Sequence, residues 1–295
     1  MFGSRKIVAA AFAATGLASS VAFAQEAPAP PPVNNGSVSL SIGTDVTTAY
    51  LFRGVIQEDQ GLIVQPWAEV GFNLFSGDDA LSSVDLTVGT WSSLHSEHTG
   101  STGGNDIFYE TDYYVGISAT FMEKWAAGVT YYAYTSPNGA FSTVQEIDVY
   151  LGYDDTGLVA EGFALNPYTL VAFELDNSTA GPSEGIYWEV GMEPTFTVMD
   201  SENYPISLSV PVAVGFNIDD YYSDDLDFAT DGEFFGYAKG GVTLSVPLSF
   251  IPAEFGAWKA SLGADVYYLG QDTRDANGDS DQWEIVGRGG ISMSY

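Results

Sequence analysis

From Ser37 to Tyr295 the chain alternates apolar residues with polar or small ones. A period of two places successive side chains on opposite faces of a strand. In "ISLSVPVAVGFNID" one parity carries Ile206, Leu208, Val210, Val212, Val214, Phe216 and Ile218, and the other Ser207, Ser209, Pro211, Ala213, Gly215, Asn217 and Asp219. In "SVSLSIGTDVTTAYLFR" Val38, Leu40, Ile42, Val46, Tyr50 and Phe52 oppose Ser39, Ser41, Gly43, Asp45, Thr47 and Arg53. "GVTLSVPLSF" and the terminal "WEIVGRGGISMSY" repeat the pattern, the latter setting Trp283, Ile285, Ile291, Met293 and Tyr295 against Glu284, Arg288, Ser292 and Ser294. No stretch sustains the 3.6-residue period of a helix.

Clusters of Gly, Asp, Asn, Ser and Pro punctuate these runs. They predict strands over 37–54, 62–75, 82–96, 108–121, 125–135, 143–153, 164–176, 186–199, 206–219, 233–250, 257–270 and 283–295. An even number, about twelve, suits a single-chain bacterial barrel, and the connections alternate between longer and mostly short, as outer loops and periplasmic turns do. Alternation also fits a soluble β-sandwich. Two features favour lipid on the apolar side. The polar faces are rich in Gly, Ser and Thr, which suits a crowded or watery lumen. Aromatics gather at predicted strand ends (Tyr50, Phe52, Tyr109, Phe121, Trp125, Trp258, Tyr268, Trp283), as in interfacial girdles. The expected fold is therefore all-β, a transmembrane antiparallel up-and-down β-barrel of about twelve strands over residues 37–295.

The first residues change the picture of where it works. Arg5 and Lys6 precede an apolar run that ends in Ala22-Phe23-Ala24, so residues 1–24 read as a cleaved signal peptide. Residues 25–36, "QEAPAPPPVNNG", read as a Pro-rich periplasmic spacer. With no later run of 18 apolar residues, export leaves the periplasm, the exterior or an outer membrane crossed by strands, and the barrel pattern makes the Gram-negative outer membrane the expected home. The lipid bilayer and the barrel-assembly machinery are the expected partners.

Charge narrows the function. Lys+Arg number 8 against 39 Asp+Glu, a formal net charge of −31, which excludes electrostatic nucleic-acid binding. Carrying the parity through every strand turns Asp45, Glu69, Asp85, Glu110, Asp112, Glu146, Asp148, Glu174, Glu189, Glu193, Asp265 and Glu284 inward, with Arg53, Lys239, Lys259 and Arg288 as the inward bases. Acidic linings favour cations. Trp67, Trp91, Tyr114, Tyr132, Tyr150 and Tyr187 share that face and could stack a planar or sugar-like solute, or simply fill space. The reading is a narrow porin-like channel for cations or small polar solutes. Its alternatives are a non-conducting structural or adhesive barrel and a soluble exported sandwich that binds a ligand. Arg53 is expected inside near the outer rim, with Tyr50 and Phe52 facing the lipid interface.

Metal and catalytic chemistry find weaker footing. Asp275, Asn277, Asp279 and Asp281 offer the alternate oxygens of a Ca²⁺ loop, but Ser280 and Val286 stand where an EF-hand needs Gly and Glu. An acidic solvated turn is the alternative, and no cofactor is expected otherwise. The acidic run from Asp219 to Asp231 has a lesser claim on divalent ions. His95 and His98, with Glu97 or Asp106, have zinc-like spacing. Ser93 or Ser96 beside His95 would be needed for a membrane phospholipase, yet nothing sets that geometry, so no enzyme is expected.

"DVTTAYLFRGVIQEDQGLIVQPWAEVGF", "YETDYYVGISATF", "AAGVTYYAYTSP" and "QEIDVYLGY" resemble the Gcw_chp family of exported bacterial proteins. The resemblance covers residues 37–155 well and the remainder loosely, and "YTSP" departs from the family's tighter Tyr-Pro ending. It implies an outer-membrane-type barrel and, since the family has no established activity, no catalytic residues.

Overall fold

The computed structural model describes residues 37–78, 80–100, 107–158, 163–180, 183–199, 205–222, 233–278 and 280–295. The leader, the spacer, Asp106, Asp279 and most of the 219–231 acidic run lie outside them. Along the described residues run β1 (Val38–Thr47), β2 (Tyr50–Phe52), β3 (Val55–Glu58), β4 (Ile63–Ser76), β5 (Leu81–His95), β6 (Phe108–Phe121), β7 (Trp125–Thr135) and β8 (Val144–Tyr153). They continue with β9 (Pro167–Asp176), β10 (Ile186–Met192), β11 (Thr195–Met199), β12 (Ile206–Ser209), β13 (Val212–Asp219) and β14 (Phe235–Pro247). β15 (Ala257–Leu269), the short helix α1 (Gln271–Ala276) and β16 (Trp283–Ser294) complete the chain.

Each wall strand pairs antiparallel with its neighbours in sequence, and β1 closes on β16 through Ser41↔Ser294 to Thr47↔Arg288. Closure excludes the sandwich. The ladder holds fourteen strands, but β10 with β11 and β12 with β13 each make one stave, so the wall is a closed antiparallel barrel of twelve staves. Each of these two staves is interrupted at a proline, Pro194 and Pro211, which has no N–H for the ladder. The runs 186–199 and 206–219 are thus single staves with a break rather than continuous strands.

Parity governs what faces where. On β7, Ala126, Thr130, Tyr132 and Tyr134 are buried while Val129 is 44% exposed. On β6, Tyr114 is 3% exposed and its neighbours Tyr113 and Val115 are 57% and 43%. Exposed aliphatics continue around the circumference through Val149, Val242, Leu262 and Ile285. A water-soluble fold rarely leaves so much contiguous apolar surface, whereas a transmembrane barrel requires it. Aromatic rings cap the band. Trp125 packs on Tyr153 near the turn end, and Trp188 with Phe216 and Tyr268 with Trp283 pack near the loop end.

The first predicted strand stops short. β1 ends at Thr47, and residues 50–58 fold back as a separate two-stranded hairpin, β2–β3. Its turn is Arg53-Gly54, both at positive φ (49° and 86°), the two-residue geometry that matches strand twist. Tyr50, Leu51, Phe52 and Val55 are all buried. Tyr50 and Phe52 therefore do not face lipid: they join Ile63, Trp91, Tyr109 and Tyr134 in one core cluster inside the barrel. Tyr109 is corrected likewise. A register shift between Ser93 and Leu94, which pair with Glu110 and Phe108, leaves Tyr109 as the bulged residue, and it turns inward to 6% exposure.

Candidate functional site

The hairpin carries Arg53 into the lumen. Its guanidinium meets β8 head-on: Nη1 donates to Glu146 Oε2 at 2.6 Å and Nη2 to Oε1 at 2.8 Å, with Asp148 Oδ1 at 3.5 Å. Two parallel N–H···O bonds use the planar fork that a lysine lacks. Nη1 also donates to Tyr221 Oη at 3.0 Å. The cation lies 4.4 Å from the ring centre of Tyr187 and 4.9 Å from that of Phe52. Arg53 is 5% and Glu146 0% exposed, so each charge depends on the other.

The rest of the hairpin is tied to the wall and loops at several points. Tyr222 Oη donates to the Arg53 carbonyl at 2.7 Å. Asn277, just past α1, accepts from the Ile56 N–H at 2.8 Å and donates to the Gly54 carbonyl at 2.9 Å. Tyr109 Oη donates to Gln57 Oε1. At the end of β3, Thr99 donates to Glu58 and stands 2.8 Å from His95 Nδ1, whose Nε2 is 2.8 Å from Ser93 Oγ. Burial alone would push Glu58 up. The Thr99 hydroxyl and the Asp59 and Gln60 N–H groups hold its carboxyl below the usual range instead.

The inward carboxylates fall where parity puts them. Glu69, Glu110, Asp112, Glu146, Asp148, Glu174, Glu189 and Asp265 are buried in the lumen. Tyrosine hydroxyls satisfy several. Tyr114 donates to Glu69, while Tyr168, Tyr187 and Tyr237 converge on Glu189. Asp265 pairs with Arg288 at 3.0 Å, and Asp85 accepts from Asn73 and Ser83. Lys239 is buried; Asp45, Glu193 and Glu284 are partly exposed, and Lys259 is exposed. All six aromatics assigned inward are buried or half-buried there. Sequence reasoning missed Tyr168, Tyr237 and Tyr267, which share their parity, and Tyr221 and Tyr222, which descend from a loop.

The metal and catalytic candidates are placed differently. Both polar atoms of the Asn277 amide serve the hairpin, and Asp275 accepts from Gln271 at 2.8 Å. Both ring nitrogens of His95 face hydroxyls, and Ser93, at 0% exposure, is sealed inside rather than presented at a lipid-facing rim. Among the described residues no three His, Cys, Asp or Glu side chains gather in a metal-binding group.

Between hairpin and wall lies a cavity of about 80 Å³. Tyr50, Phe52, Tyr109, Glu110, Tyr134 and Phe141 line it.

No family model matches this chain, and no curated protein does. Among solved structures it is similar to the NanC porin at 12% identity and a TM-score of 0.43, over 86% of this chain and 98% of that one. It is similar to the COG4313 outer membrane channel from Pseudomonas putida F1 at 11% and 0.48, over 90% and 97%. It is also similar to the translocator domain of the autotransporter NalP from Neisseria meningitidis at 14% and 0.38, over 88% and 89%. No residue role is carried over from any of them.

Proposed function

We propose that this chain is an outer-membrane barrel that forms a narrow, cation-preferring channel for small solutes, closed at rest by its β2–β3 hairpin. The observation that carries the reading is the charge of the lumen. Among the described residues eight buried inward carboxylates stand against two buried bases, Arg53 and Lys239, and an acidic lining lowers the energy of a passing cation. The continuous apolar exterior supports insertion in lipid. Twelve staves enclose less room than the sixteen to eighteen of open porins, so one hairpin is enough to obstruct the passage. Arg53 makes that obstruction reversible, because its anchors are charged groups on the wall rather than a covalent link.

Planar-bilayer recording of the full mature chain tests the proposal. Small cation-selective currents are expected, rising when Arg53 is replaced by Met. Silence in both proteins, or anion selectivity, overturns it. A second reading, a non-conducting structural barrel, draws on the same hairpin: Arg53, Tyr221, Tyr222 and Asn277 hold it at enough points to keep the lumen shut. Silence in both proteins is its expected result.

A further inference from the structure

We propose that the cavity beside the hairpin is a binding site for a small organic ammonium ion. Five rings face it: Tyr50 and Phe52 from the hairpin, Tyr109 and Tyr134 from the wall, and Phe141 from the β7–β8 loop. They are set at angles, with Tyr109 5.5 Å from Phe141 at 63° and Phe52 5.4 Å from Tyr134 at 68°, so that they surround the space rather than stack shut. The one charged group among the lining residues is Glu110. Ring faces around a carboxylate attract a weakly hydrated cation.

The neighbourhood reinforces the sign of the charge. Asp112, one inward position along β6 from Glu110 and hydrogen-bonded to it, is 2% exposed, and its Oδ1 has no hydrogen-bond partner. The nearby base, Arg53, is engaged by Glu146 and Asp148. Among the described residues the hydrogen-bonded Glu110–Asp112 pair thus has no base beside it at the edge of an aromatic hollow, and an incoming cation favours its ionised form. An inorganic metal ion fits poorly, because it needs several anionic or carbonyl oxygens to replace its water and Glu110 is the one carboxylate in the lining. An anion is repelled by Glu110, and a neutral apolar guest makes no use of it. Phe141 and Ser178 belong to the β7–β8 and β9–β10 connections, so the cavity lies at the loop end of the barrel.

The inference deepens the cation preference proposed above, yet its test needs no conduction. Calorimetry on the detergent-solubilised full chain would use tetramethylammonium chloride, with tert-butanol as the neutral counterpart and potassium chloride as the inorganic one. Saturable binding of tetramethylammonium alone is expected, weakened at least tenfold by Glu110→Gln. Should that variant fail to fold, Ser178→Lys, at the rim, places a competing ammonium in the mouth and is expected to abolish binding. No saturable binding overturns the proposal. So does equal binding of tert-butanol or potassium, or undiminished binding by folded Ser178→Lys.

Discussion

Arg53 and Glu146 lie 93 residues apart and meet through two bonds of 2.6 and 2.8 Å inside the barrel. One belongs to a hairpin, the other to the wall. Breaking a buried pair by removing one partner leaves an uncompensated charge, which costs on the order of 3–5 kcal/mol. Arg53→Met is therefore expected to lower unfolding stability by about that much, read from the temperature at which the folded form disappears on a heat-modifiable gel. Removing both charges, in Arg53→Met with Glu146→Leu, leaves only Asp148 nearby, so the double variant is expected to lose less than the sum of the singles. Strict additivity would mean the pair does not hold the hairpin.

Gly54 makes the tip possible. Its φ is +86°, and a Cβ there would sit 2.9 Å from Thr273 Cγ2 and 3.1 Å from Tyr237 Cδ1. Gly54→Val adds a clash to a strained backbone, a combination worth about 1–3 kcal/mol. The wall does not depend on this turn. The expected outcome is a barrel that still forms but whose hairpin is cut by protease added from the loop side, measured by fragment mapping. Resistance equal to the parent protein would show that the turn tolerates a side chain.

The wall was legible because each face has its own environment, and parity needs only local reading. Tyr187 inward with Trp188 outward, or Tyr114 inward with Val115 outward, follows from alternation alone. The hairpin was not legible for the same reason. Tyr50 and Phe52 continue the apolar parity of β1, and Thr48-Ala49 contains no Gly or Pro to mark the departure from the wall. Only Arg53-Gly54 hinted at a turn, and arginine is an unusual residue for its first position. Tyr109 was lost to a bulge, which shifts parity without changing composition. The partnership of Arg53 with Glu146 depends on a hairpin crossing the lumen, and no local periodicity encodes it.

The two faces also respond differently to charge. Val115 lies midway along β6 and is 43% exposed on the apolar side. Val115→Arg is expected to cost about 2–4 kcal/mol in a bilayer, the depth-dependent cost of a lipid-facing arginine. Thr120→Arg, on the inward parity, is expected to cost far less because water and carboxylates are within reach. Reversible unfolding in lipid vesicles compares them. Equal cost, or a Val115→Arg protein that stays monomeric in plain buffer, would place water rather than lipid outside.

Asn277 joins the last loop to the hairpin through both its amide atoms, accepting from Ile56 and donating to Gly54. Such a side chain is a clamp, and each neutral hydrogen bond contributes about 1 kcal/mol. Asn277→Ala removes both bonds, whereas Asn277→Asp keeps the acceptor and turns the donor into a repulsive contact with the Gly54 carbonyl. Both variants are expected to free the hairpin, seen as more frequent channel openings and faster cleavage near Gly54, with Asp the more severe. Asp275→Asn touches only Gln271 and is expected to leave both readouts unchanged, with or without added calcium. If calcium instead slowed cleavage in the parent protein, and Asp275→Asn abolished that protection, Asn277 would be acting as a metal ligand and not as a clamp.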